Sequence, residues 1–124
     1  MPSTIIRLHH VTHNIARASA PSARHFYGEV LGLREIVPMG DPDNERLIWF
    51  EVGDHQLHLV LQDQADPTTS RHLAVLVDGF AEFVIRLRAA GVTLDPVRTR
   101  PDGAKVTWCY DPDGNRIELM EARG

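Results

Sequence analysis

Apolar and polar residues along the chain alternate between a period of two and a helical period, and the switches between them mark the elements. Residues 5–15 carry β-branched and alternating side chains and predict a strand. Ser19, Ala20 and Pro21 then give the signals of a helix start. Phe26, Tyr27, Val30 and Leu31 recur at helical spacing up to Gly32, the residue type that ends helices in the left-handed conformation. Three strand-like runs follow, 33–37, 47–52 and 56–62, separated by the turn residues Asp41-Pro42-Asp43-Asn44 and Gly53-Asp54. After a polar stretch, 63–70, the same order returns. It comprises a strand at 71–77, then a helix over 80–90 with Phe80, Phe83, Val84 and Leu87 on one stripe and Gly91 as terminator. Strands at 93–97, 105–110 and 117–120 complete it.

The order β-α-β-β-β thus occurs twice, with His10 and His72, and His58 and Glu118, each about sixty residues apart. This predicts a single α+β domain over 1–124. Its two βαβββ modules, about 4–62 and 71–122, are joined by a linker at 63–70. Two helices for about eight strands cover a sheet on one side only, so the sheet is expected to curve with its helices outside and its other face open to a cavity or to water.

Strand parity says what lies on that open face. Leu57, Leu59 and Leu61 share one side of their strand and leave Gln56, His58 and Val60 on the other. Ile117 and Leu119 oppose Glu118. Leu73, Val75 and Val77 oppose His72, and Val11 opposes His10. A cavity lined by His10, His58, His72 and Glu118 satisfies all four strands. Imidazole nitrogen with carboxylate oxygen is a ligand set for a borderline divalent ion such as zinc, nickel, manganese or iron. The competing reading makes each histidine an ordinary strand residue and Glu118 an end-of-strand acid paired with Arg116; four repeat-related positions obeying one parity rule argue against it. His9, His13, His25 and His55 read as structural or surface residues. Trp49 and Trp108 offer an apolar substrate wall or plain core packing, and Glu51, on the parity of Trp49, is a further substrate-side acid or an edge-strand one.

Composition narrows the partners. Seventeen acids against thirteen bases, a net charge of −4, give no electrostatic footprint for nucleic acid. No apolar run reaches membrane-spanning length, and the first residues lack an export signal. A single cysteine, Cys109, permits no intrachain disulfide and fits a cytoplasmic setting.

Five motifs together resemble the vicinal oxygen chelate superfamily, which includes glyoxalases, bleomycin resistance proteins and extradiol dioxygenases. They are Leu8-His9-His10-Val11, the run from Phe26 to Leu33, Gln56-Leu57-His58-Leu59-Val60, Arg71-His72-Leu73-Ala74, and the run from Asp111 to Leu119. The resemblance spans nearly the whole chain. It implies paired modules curved around one divalent metal per chain (zinc, nickel, manganese, cobalt or iron), with His10, His58, His72 and Glu118 at the four ligand positions. Glu118 is then also the base. Glyoxalases commonly carry a carboxylate where this chain has His58.

The activity so implied is a metal-dependent, glyoxalase-like lyase or isomerase that moves a proton next to a carbonyl of a small chelating substrate. An extradiol-type dioxygenase is the alternative, but the histidine and tyrosine of its pattern are absent or displaced. A drug-binding resistance protein without catalysis is the third; such binders generally lack the ligand set. A homodimer is expected, because open sheet edges and an open cavity gain cover by pairing, and relatives usually dimerise.

Overall fold

A computed structural model describes residues 8–64 and 72–122. Residues 5–7 of the expected first strand, 65–70 of the expected linker, and Arg71 lie outside the described residues. The elements are β1 (His10–Ala16), α1 (Ala20–Arg24), β2 (Arg34–Ile36), β3 (Leu47–Val52), β4 (His55–Gln62), β5 (His72–Val77), α2 (Phe80–Ala89), β6 (Arg98–Thr99), β7 (Lys105–Tyr110) and β8 (Arg116–Glu121). The β-α-β-β-β order occurs twice. The strands form two four-stranded mixed sheets, β1-β4-β3-β2 and β5-β8-β7-β6. In each, the first strand of the module runs parallel to the last, and the other pairs are antiparallel.

Strand parity sets the core. Leu57 and Leu59 on β4, and Ile117 and Leu119 on β8, are at most 1% exposed and pack in one cluster with Tyr27 and Phe50 of the first module and Val84 and Leu87 of the second. Burying side chains of this size stabilises the fold by about 1.5–3 kcal/mol each. The opposite face of each sheet holds the polar residues.

Two elements depart from the expected pattern. The helix of the first module is not one α-helical run to residue 31. It leaves α1 after Arg24 and continues through a π-helical turn, His25–Val30, with the Leu31 N–H donating to the Phe26 carbonyl at 2.9 Å. That wider turn buries the adjacent rings Phe26 and Tyr27 together. Gly32, at φ 79°, ends it as expected. The expected strand at 93–97 shrinks to one bridge, Leu94 to Cys109, before the two-residue β6. Pro96 has no N–H to give a ladder, and the Thr107 hydroxyl takes the Asp95 carbonyl at 2.6 Å.

The modules are tied at the turn between β7 and β8. Asp111, 5% exposed, accepts at Oδ1 from the backbone N–H of Asp113 (2.9 Å) and Asn115 (2.8 Å). Its Oδ2 accepts from the Tyr27 hydroxyl (2.7 Å) and Asn115 Nδ2 (2.8 Å). Asn115 Nδ2 also donates to the Asn14 carbonyl, and Ser19 Oγ donates to Asp113 at 2.8 Å. β1 and β5 are edge strands with no ladder between them. A cleft of about 860 Å³ opens there, walled by Val11, Leu57, Leu73, Val75 and Leu119. No helix among the described residues is long and apolar enough to cross a membrane.

Candidate functional site

On the open face of the first sheet, register brings three rings into a stack. β3 and β4 pair Trp49 with His58, and β1 lies beside β4 with Thr12 opposite His58 and His10 opposite Gln56. Trp49 and His58 lie flat on each other, centroids 3.7 Å apart and 1° between planes. His10 stacks on the other side of His58 at 3.9 Å. Gln56 Oε1 sits 2.8 Å from His58 Nε2. In the tautomer that carries its proton on Nε2, His58 donates to this amide oxygen and keeps the Nδ1 lone pair. Burial, and then the neighbouring His10 and His9, push the His58 pKa down to about 4. His58 is therefore a neutral imidazole at pH 7.

The second sheet repeats the plan with different chemistry. β7 and β8 pair Trp108 with Glu118, and β5 pairs His72 with Arg116 and Ala74 with Glu118. His72 Nε2 lies 3.3 Å from Glu118 Oε1, whose side chain is 18% exposed. His72 meets Trp108 edge-on at 4.6 Å. Arg116 lies over that indole, its Cζ 3.9 Å from the ring centroid.

The four expected ligands thus come together as two pairs, His10 with His58 and His72 with Glu118. Among the described residues, no three His, Cys, Asp or Glu side chains form a group that could hold a metal ion. The donor types suit a borderline divalent ion, but the donors of one chain do not converge as a set of four. The reason is architectural: the pairs belong to separate sheets whose modules are tied at the β7–β8 turn.

Of the substrate-side candidates, Trp49 and Trp108 both stand on the open face, each against its module's donor pair. Glu51 shares the first sheet's face but is held by Arg34, with Nε to Oε2 at 3.0 Å, and that hydrogen bond lowers its pKa. It is a poor base. Tyr27 and Cys109 are unreactive by burial: burial and then Asp111 raise the Tyr27 hydroxyl well above its usual pKa and push the Cys109 thiol up to about 12.

Sequence reasoning passed over two residues. His9 has the wrong strand parity for this face, yet its Nδ1 lies 2.9 Å from His10 Nδ1 and its ring meets His58 edge-on at 6.4 Å. Because β1 begins at His10, strand alternation does not govern His9. Gln56 hydrogen-bonds His58, and its place two residues before His58, on the same face, was the available signal. His25 and His55 are surface residues paired with Glu29 and Asp54, and His13 is half-buried beside Tyr27.

The family model of the Glyoxalase/Bleomycin resistance protein/Dioxygenase superfamily matches residues 7–119. A glyoxalase family protein from Bacillus anthracis shares 30% identity at a TM-score of 0.88, covering 99% of this chain and 100% of that one. A lactoylglutathione lyase from Agrobacterium tumefaciens is 22% identical at a TM-score of 0.72, covering 98% and 95%. A fosfomycin resistance protein from Listeria monocytogenes is 21% identical at 0.77, covering 97% and 96%. These last two show the fold. No curated protein matches the chain.

Proposed function

The chain belongs to the glyoxalase/bleomycin resistance protein/dioxygenase superfamily, and from that premise we propose that it is a metal-dependent lyase or isomerase whose sites are each completed by two copies of the chain. The observation that carries this is the division of the donors into His10 with His58 on one sheet and His72 with Glu118 on the other. One pair is half a ligand set. A second copy that lays its β5 sheet beside the β1 sheet of the first brings four donors together, twice per homodimer. The unpaired edges of β1 and β5, the cleft between them, and the exposed Leu8, Val11 and Leu76 at those strands support that pairing.

His10, His58, His72 and Glu118 would hold the ion in this reading, and its positive charge would make a proton next to a substrate carbonyl more acidic. Glu118 takes that proton; His72, within 3.3 Å, steadies the carboxylate and accepts part of its charge. Trp49 and Trp108 wall the substrate and exclude water. The substrate is a small molecule, and the working compartment is the cytoplasm, consistent with the lone buried Cys109.

Mixing tests the shared site directly. His10→Ala and Glu118→Ala proteins should each lack activity, while dimers that hold one of each should regain one intact site. Solvent deuterium incorporation, screened across hemithioacetals, thioesters and α-hydroxycarbonyl compounds, reads the chemistry. Failure of the wild-type protein to exchange any of them, with oxygen uptake on catechols under ferrous conditions, would replace this reading by a dioxygenase.

A further inference from the structure

Among the described residues, Arg116 is a half-buried cation of the second sheet's open face with no acid beside its charge, whereas Arg98, on the same face by its register with Val106, is exposed on the edge strand. Glu118, the acid two residues on and on the same face, turns to His72 instead. Among the described residues none forms an ion pair or hydrogen bond with the guanidinium, and its Nε is buried without an acceptor. Trp108 lies under it at 3.9 Å. An indole face attracts a cation but accepts no strong hydrogen bond, so it fixes the group while leaving its charge and donors uncommitted. A guanidinium stays protonated at any working pH.

Position decides what the group is for. In register with His72 and flanking Glu118, Arg116 stands at the rim of the proposed proton-transfer site. The repeat-related place in the first module holds Gln56, which is occupied with His58. Among the described residues, it is the second module that brings an unpaired positive charge to the open face. A planar fork of N–H donors matches a carboxylate in two-point fashion, which a lysine in the same place would not.

We propose that Arg116 anchors the carboxylate of the substrate, so that the molecules this site accepts are small hydroxy or keto acids rather than neutral carbonyl compounds. This rests on the reading that the open face carries the chemistry. Arg116 acts as a specificity residue: it holds the acid end so that the carbon beside the carbonyl lies within reach of Glu118.

The test compares lactate with lactamide, which differ in the carboxylate and hardly in size, by titration calorimetry on the full-length zinc-loaded protein. Perturbation of the Trp108 indole N–H resonance gives a second readout. Wild type should prefer lactate by about tenfold or more, the range a charge-assisted hydrogen bond supplies. Arg116→Gln should abolish the preference, and Arg116→Lys should keep a reduced one; thermal melts confirm that each variant is folded. Equal binding of lactate by Arg116→Gln and wild type, or no preference in wild type, overturns the proposal. Acid preference without deuterium exchange leaves Arg116 as an anion anchor and removes the lyase reading; exchange without acid preference does the reverse.

Discussion

Replacing Tyr27 by Phe isolates one of the bonds that tie the modules together. Tyr27 is fully buried and donates to Asp111 Oδ2 at 2.7 Å, so the substitution removes one hydroxyl and leaves the packing of the ring. A hydrogen bond to a charged acceptor contributes about 1.5–3 kcal/mol. Asp111 would not be orphaned, because Asn115 Nδ2 still donates to Oδ2 and two backbone N–H groups still donate to Oδ1. The expected loss is therefore about 2 kcal/mol, a roughly thirty-fold change in the unfolding constant and about 7 °C in Tm for a domain of this size. Urea unfolding of metal-free protein at one fixed concentration measures it, since metal and dimerisation both shift apparent stability. A double-mutant cycle with Asp111→Asn assigns the loss to this pair. Destabilisation below about 0.5 kcal/mol, or no coupling in the cycle, would refute the claim that the bond between π-helical turn and β7–β8 turn locks the modules.

Two other outcomes follow from burial. Cys109, fully buried with its thiol pushed up to about 12, should not react with a disulfide reagent at neutral pH until the protein unfolds; stoichiometric labelling of the native protein within minutes would contradict this. Metal-free protein should lose stability on mild acidification, because burial lowers the pKa of both His13 and His58 below the ordinary histidine value of 6.5. The unfolded chain then binds more protons, so their contribution is complete above about pH 6.5 and is lost as pH falls, for His58 through about 4. His13→Gln should flatten the dependence of urea midpoint on pH between neutrality and pH 5, and an unchanged slope would remove His13 from the account.

Side-chain alternation made the fold and the open face legible, because a one-residue error in β4 would have exchanged Leu57 and Leu59 for His58 in the core. The repeat did as much for His10, His72 and Glu118. What alternation cannot reach is distance across sheets: parity put four donors on concave faces but said nothing of how far apart two sheets stand, and the structure holds them as two pairs. Long-range polar contacts were equally hidden. Asp111 sits in a turn-rich run that reads as solvent-facing, yet it is buried because its carboxylate takes four donors, one of them 84 residues away. The strand expected at 93–97 failed for a local reason, the missing N–H of Pro96.

The two modules share a plan but not a chemistry, and that difference constrains how copies can pair. Trp49 and Trp108 occupy matching places, as do His58 and Glu118, and Gln56 and Arg116. The first module supplies imidazoles, one of them, His58, held neutral by burial and by its neighbouring histidines. The second supplies a carboxylate and an uncommitted guanidinium. If first modules met first modules across a twofold axis, one site would hold four imidazoles and no base, and the other would crowd two carboxylates and two guanidinium groups. Pairing unlike modules would give every site Glu118, Arg116 and the three imidazoles of His10, His58 and His72, and would make the two sites of a dimer identical. On the proposed shared-site reading, the asymmetry between the repeats favours an assembly in which the first module of each chain meets the second module of the other.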